Sequence, residues 1–477
     1  MIYLQFLLLI ALFTPNILSA HSEIPGEPQR KPIALTNATI VTITKGVIEN
    51  ATIVFEKGKI TKIGTDVTIP ENTEIINCQG QYVFPGFITA STTLGLVEID
   101  AVRATRDMNE VGLYNPNVKA ETAYNPESEL IPTIRTNGVL IANIVPEGGF
   151  ISGQGSFLAL DGWNKEDAMI QSKSCMKISI PDVTIAPWMK NIEKEAEIKA
   201  DIEKKLQEFL TYIENAHSYS LLAKEGLSKG NVDLRYESLR AIFEKQQVCF
   251  IEANSYQQLL IALEIIRRYN LRAVLSTGNE VIRCLDQVKA LQVGVVIPRI
   301  HSLPDKDEDT YDQPFTLPQQ LQKKGILFAF SESGSWQQRN LPFNAGTAVG
   351  FGLEEMEALK GLTLYPAMMF GVDSLVGSLD IGKEATLFVS QGNPLDYSTN
   401  KVTMAFIKGR KMSIENRNTR LAKKYRSRYT QLRMEEIYNL QNEKPSKKIE
   451  LKEEITPQDS IKTQKLTPEN PKKLQWK

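Results

Sequence analysis

A catalytic zinc site needs three protein ligands drawn from histidine, cysteine and carboxylate side chains. This chain of 477 residues has three histidines in all: His21, His217 and His301. His217 lies in a charged, helix-patterned stretch, and His21 stands near the N-terminus. His301 follows an apolar strand-like run, in Ile300-His301-Ser302-Leu303-Pro304. Two carboxylates stand at comparable places. Glu252 ends Phe250-Ile251-Glu252, and Glu332 follows Phe330-Ser331. Each is a candidate acid/base group, weighed against a solvated or Arg-paired carboxylate. Together they suit Mg²⁺ or Ca²⁺ with waters, because those ions accept oxygen shells. His301 is a candidate acid/base group, weighed against an imidazole bonded to loop backbone. Ser91 as a nucleophile needs a neighbouring base, and His301 is the only one of the usual kind. Cys78, Cys175, Cys249 and Cys284 are scattered, which fits neither a disulfide framework nor a structural zinc site. Cys175 and Cys249 sit in apolar runs and read as small buried thiols.

The elements that must position these groups are legible from periodicity. Ala38–Ile43, Ala51–Phe55 and Ile60–Ile63 are β-branched runs, with Glu56-Lys57-Gly58-Lys59 as a hairpin turn. From Tyr82 short apolar strands alternate with helical stretches, near 83–89, 139–145, 157–160, 175–180, 247–252, 273–276, 294–298 and 326–330. Their apolar runs lack clean alternation, as parallel strands covered on both faces do. The pattern predicts a (β/α)8 TIM-type barrel over 82–376. Asp100–Thr136 is polar and reads as an extended loop plus a helix over one barrel mouth, and 192–246 as a charged helical insertion. Residues 33–81 and 377–411 supply a composite β-sandwich. A charged helix is expected over 414–443, and 444–477 is a Lys-, Pro-, Gln- and Glu-rich tail expected to be disordered.

Residues 1–20 read as a secretory signal peptide: an apolar run from Phe6 to Phe13, a break at Pro15-Asn16, and small residues before Ala20. The expected location is therefore outside the cytoplasm, periplasmic or secreted. No later stretch is long and apolar enough to be a membrane helix. Formal net charge is −1, which gives no electrostatic reason to expect a nucleic-acid partner.

Val83-Phe84-Pro85-Gly86-Phe87-Ile88 resembles the entry into the first barrel strand of amidohydrolases of the imidazolonepropionase-like branch. Later pieces resemble the same family in order and spacing: Leu341-Pro342-Phe343-Asn344-Ala345, Gly352-Leu353-Glu354-Glu355, Thr363-Leu364-Tyr365-Pro366-Ala367, Gly377-Ser378-Leu379, Gly382-Lys383-Glu384-Ala385 and Gly392-Asn393-Pro394-Leu395. The resemblance spans about Ile33 to Arg410. It implies a hydrolase of carbon–nitrogen bonds with one or two metal ions at the barrel mouth, where the metal activates water. It also implies Asp-x-His-x-His on strand one. This chain has Thr89-Ala90-Ser91-Thr92-Thr93 there, so Ser91 and Thr93 replace the two histidines. Strand five offers Glu252 where a histidine is usual. Strand six, with Thr277, has no histidine, and strand eight offers Glu332 near the expected general-base aspartate.

Neutral hydroxyls are poor zinc ligands, so no resident cofactor is expected, with a divalent metal (Zn, Mg or Ca) as the alternative. Glu332 and His301 are the catalytic candidates. Ser91, Thr93 and Thr277 are candidates for ligand contact, and Glu252 for metal. Two functions follow. One is a pseudoenzyme that binds a small-molecule or peptide-like ligand at the mouth, or supports an active homologue in a homo- or hetero-oligomer. The other is an active hydrolase of amide, cyclic amide or dipeptide-like bonds with a rebuilt site.

Overall fold

The computed structural model describes residues 24–185, 194–227, 232–304, 308–332 and 334–442. The leader at 1–20, His21 and the tail at 444–477 lie outside them. Residues up to Ile414 form one compact unit, and a second begins at Glu415.

The first strands build a sheet that the last strands complete. β1 (Ile33–Val41) pairs antiparallel with β2 (Val47–Glu56), which turns back into β3 (Lys59–Gly64). The turn residues Lys57 and Gly58 take φ of 51° and 77°, the left-handed pair that matches strand twist in a two-residue hairpin. β4 (Glu74–Asn77) and β5 (Tyr82–Pro85) both run parallel to β1. β5 then pairs with β16 (Leu387–Ser390), followed by β17 (Val402–Ile407) and β18 (Arg410–Met412). The order is β18-β17-β16-β5-β1-β2-β3, with β4 beside β1. The two segments expected to form a sandwich thus share one hydrogen-bonded sheet, because β5 is paired on both sides. Leu35, Ile53 and Phe55 pack in one buried cluster with Leu387, Val389 and Phe406. Neither segment could bury that face alone.

The apolar run expected as one strand near 83–89 divides at Gly86. A Cβ on Gly86 would come within 2.9 Å of the Leu140 side chain, so this close crossing into the next sheet requires glycine. β6 (Phe87–Thr92) then pairs parallel with β7 (Val139–Ile144). After β8 (Ile151–Gln154), β9 (Ser156–Ala159) and β10 (Met169–Gln171) come five strands parallel in sequence order: β11 (Cys175–Ser179), β12 (Val248–Glu252), β13 (Ala273–Ser276), β14 (Gly294–Ile297) and β15 (Phe328–Phe330). They lie in two sheets, β10-β9-β7-β6 and β15-β14-β13-β12-β11-β8. The expectation of a parallel strand at 157–160 is corrected, since β9 runs antiparallel to β7 and β8 antiparallel to β11. Residues 145–155, with β8 among them, join β7 to its partner β9, which is short of the crossover of a dozen or more residues that a parallel return needs.

The two sheets share a buried core. Ile88, Ile141 and Phe157 cluster with Phe250, Val274 and Val296. At their facing edges the Ser331 hydroxyl donates to the Ser91 carbonyl at 2.6 Å. Helices α1 (Tyr256–Tyr269) and α2 (Gln313–Lys324) connect successive parallel strands. Ser255 and Gln258 form a capping box at the start of α1. The insertion folds as a helix over Glu195–Lys224 and another over Leu234–Phe243. In the second unit a helix spans Arg417–Asn442. Among the described residues no helix is long and apolar enough to cross a membrane.

Candidate functional site

The C-terminal ends of the parallel strands and the loops after them enclose a polar cleft of about 450 Å³. Strand register decides who enters it. Successive side chains alternate between faces, and Ser179, Glu252 and Ser276 stand side by side in the β11–β12–β13 ladders. Glu252 and Ser276 line the cleft, as do Ser91, Thr93, Ser331 and Glu332. Thr277 does not belong to this lining. It is fully buried, and its N–H donates to the Val296 carbonyl at 3.1 Å.

One charged residue of the cleft lining was not singled out from the sequence. Lys177 on β11 is buried, yet lines the cleft. Its ammonium lies 2.6 Å from Glu252 Oε2 and 4.8 Å from the centre of the Phe250 ring. The Ser179 hydroxyl and the Asn254 amide also donate to Glu252, each at 3.3 Å. The positive charge of Lys177 holds the Glu252 carboxyl below its ordinary pKa, against the opposing effect of burial. Glu147, on the loop after β7, also lines the cleft. Desolvation raises its pKa, and the Lys177 charge pulls it back. A lone lysine inside Cys175-Met176-Lys177-Ile178-Ser179 was the sequence signal for this group, because an ammonium is rarely buried without a partner.

Glu332 is buried with a different set of partners. Arg299 Nε lies 3.3 Å from its Oε1, the Asn344 amide donates to Oε2, and Gln338 Nε2 donates to its backbone carbonyl. The strand-one hydroxyls are also engaged: Thr89 Oγ1 bonds Gln338 Oε1 at 2.6 Å, and Thr93 Oγ1 meets Ser335 Oγ at 3.0 Å.

His301 is not brought to this cleft. It lines a neighbouring groove of about 610 Å³ with Phe343, Thr347, Glu355 and Tyr397. Thr347 Oγ1 donates to the Phe343 carbonyl, so at 2.8 Å it accepts from His301 Nε2. Burial, aided by the charge of Arg299, lowers the His301 pKa. The expectation of His301 near the mouth is corrected: the chain turns away after β14, and the imidazole packs edge-on to Phe315. Ser91 therefore lacks the base that a nucleophilic role requires. His217 packs between the rings of Phe243 and Tyr269. All four cysteines are buried and unbridged.

The cleft lining holds none of the imidazole or thiolate donors that zinc prefers. Among the described residues no group of three or more His, Cys, Asp or Glu side chains is placed to hold one. Ser91 and Thr93 offer neutral hydroxyls, Glu252 is engaged by an ammonium, and Glu332 faces a guanidinium. A fixed ammonium in the same small cleft also repels a second cation.

No protein-family model matches the sequence, and no curated protein is similar to it by sequence. Solved structures are similar. An amidohydrolase from Thermotoga maritima superposes with a TM-score of 0.69 at 25% identity, over 80% of this chain and 99% of the other. A prolidase solved with N-methylphosphonate-L-proline gives a TM-score of 0.50 at 13% identity, over 80% and 99% of the two chains. A further amidohydrolase gives 0.50 at 13%, over 81% and 100%. The chain has the fold of the amidohydrolase superfamily, a class of hydrolases.

Proposed function

We propose that this protein is an exported member of the amidohydrolase superfamily, periplasmic or secreted, that has given up metal-dependent hydrolysis. On this reading the two strand sets wrap into a TIM-type barrel with one antiparallel stave, and its mouth binds a small-molecule or peptide-like ligand. The same mouth could instead support a catalytically intact partner subunit, in a homo- or hetero-oligomer.

The observation that carries the reading is the Lys177–Glu252 pair at the strand ends, 2.6 Å apart, where the resemblance implies metal ligands. The test is metal content and activity of the purified mature protein. The expected result is substoichiometric metal and no chelator-sensitive hydrolysis of N-acyl amino acids, dipeptides or cyclic amides. Stoichiometric zinc, with activity lost on chelation and restored by zinc, overturns it.

A second reading, a hydrolase with a rebuilt metal-free site, is favoured by one observation: two carboxylates, the exposed Glu147 and the Lys177-paired Glu252, line the same cleft, the arrangement in which an acid and a base can be told apart by their surroundings. Chelator-resistant hydrolysis lost in Glu147→Gln would select it.

A further inference from the structure

The cleft is acidic apart from one group. Asp100, Glu147, Glu252 and Glu332 line it, and Lys177 is the single basic residue of that lining. Arg299 approaches Glu332 from outside the lining. The Lys177 side chain is only 7% exposed, whereas that of Glu252 is 38% exposed. Lys177 thus lines the cleft with a side chain that solvent reaches less than its partner's. Its recorded partners are the Glu252 carboxylate and the Phe250 ring face. An ammonium has three donors and keeps its charge at one point, so this one is a tethered cation held among oxygen atoms.

We propose that Lys177 is the resident cation of this cleft: its ammonium occupies the position and supplies the charge that a divalent metal would otherwise supply, and thereby excludes a metal. This rests on the reading that metal-dependent hydrolysis has been given up, and adds to it the residue responsible. Two consequences follow from the chemistry. First, the lost strand-one histidines are not the whole reason for the absence of a metal site, because restoring them would place a metal against a fixed positive charge. Second, the cation that meets a ligand's oxygen atom in this cleft is the Lys177 ammonium, through the N–H donors not directed at Glu252.

The test is titration with Mn²⁺, a hard cation that accepts oxygen ligands, followed by electron paramagnetic resonance on the full-length mature protein. Lys177→Met keeps the length and removes the charge. Lys177→Arg keeps the charge. Lys177→Met is expected to bind one Mn²⁺ roughly tenfold or more tightly than wild type, as removal of a like charge at close range predicts. Lys177→Arg should bind no better than wild type. Adding Glu252→Gln to Lys177→Met should remove the gain and so place the ion in this cleft. Circular dichroism confirms folding, and Lys177→Gln replaces the Met variant if that one does not fold. Equal Mn²⁺ affinity in wild type and the neutral variants overturns the proposal. So does an equal gain in Lys177→Arg, which would point to space rather than charge, and so does a gain that survives Glu252→Gln. Failure here is distinct from failure of the functional reading: the latter falls if wild type shows zinc-dependent hydrolysis, whatever Lys177→Met binds.

Discussion

Two ion pairs in this molecule join similar charges at similar distances and do different things. Arg135 and Asp161 meet at 2.7 Å with side chains 4% and 2% exposed. Asp161 also accepts from the Gly26 N–H, and Arg135 donates to the Leu160 carbonyl. That pair is sealed, and it ties the start of the described chain to the end of β9. Lys177 and Glu252 meet at 2.6 Å, but their carboxylate opens onto a cleft. Burial of both partners makes an ion pair a structural clamp. Burial of one partner and exposure of the other leaves charge available to a ligand.

The sharpest way to break this distinction is to remove one partner from each pair. Asp161→Ala should cost about 3–5 kcal/mol, because it strands a buried guanidinium; chemical denaturation measures it. Lys177→Met should cost far less, about 1 kcal/mol, since water can solvate the Glu252 that remains. Equal losses would mean that the cleft pair is also a clamp.

A pH titration sharpens the same contrast. The folded-state pKa of Glu252 is depressed below its ordinary 4.5. Its contribution to stability is therefore fully present above that value and is lost as pH falls through the folded pKa. Glu252→Gln should flatten this acid limb of the melting temperature. An unchanged acid limb in Glu252→Gln would remove Glu252 from the account.

The smallest effect is expected at His301. Its pKa lies below the ordinary 6.5, so the folded state favours the neutral ring. Stability from that preference is complete above 6.5 and declines as pH falls below it. Nuclear magnetic resonance titration of the ring should show the lowered pKa in wild type, and Thr347→Val should alter it while leaving the strand-end cleft unchanged. Coupled changes at Lys177 would join two sites with separate linings.

The mixed strand-and-helix character of the chain was legible because its signals are local and repeated. The hairpin at Lys57-Gly58, the run into β6 and the short apolar strands each follow from backbone preference and burial. The antiparallel course of β9 was not, since Phe157-Leu158-Ala159 is as apolar as its parallel neighbours and strand direction leaves no mark in composition. The family resemblance singled out Ser91, Thr93, Glu252 and Glu332, and all four line the cleft. Thr277 was one residue out of phase, and period-two alternation turns such an offset into the opposite face.

What the amino-acid sequence determined by itself was its supply of side chains: three histidines in all, and hydroxyls at Ser91 and Thr93 where the resemblance implies imidazoles. Only tertiary structure decided what stands in that place. Lys177 and Glu252 are 75 residues apart in sequence, and β11 and β12 meet only after a helical insertion separates them. Their charges interact over a few ångströms, a distance that strand pairing sets and that no local pattern encodes.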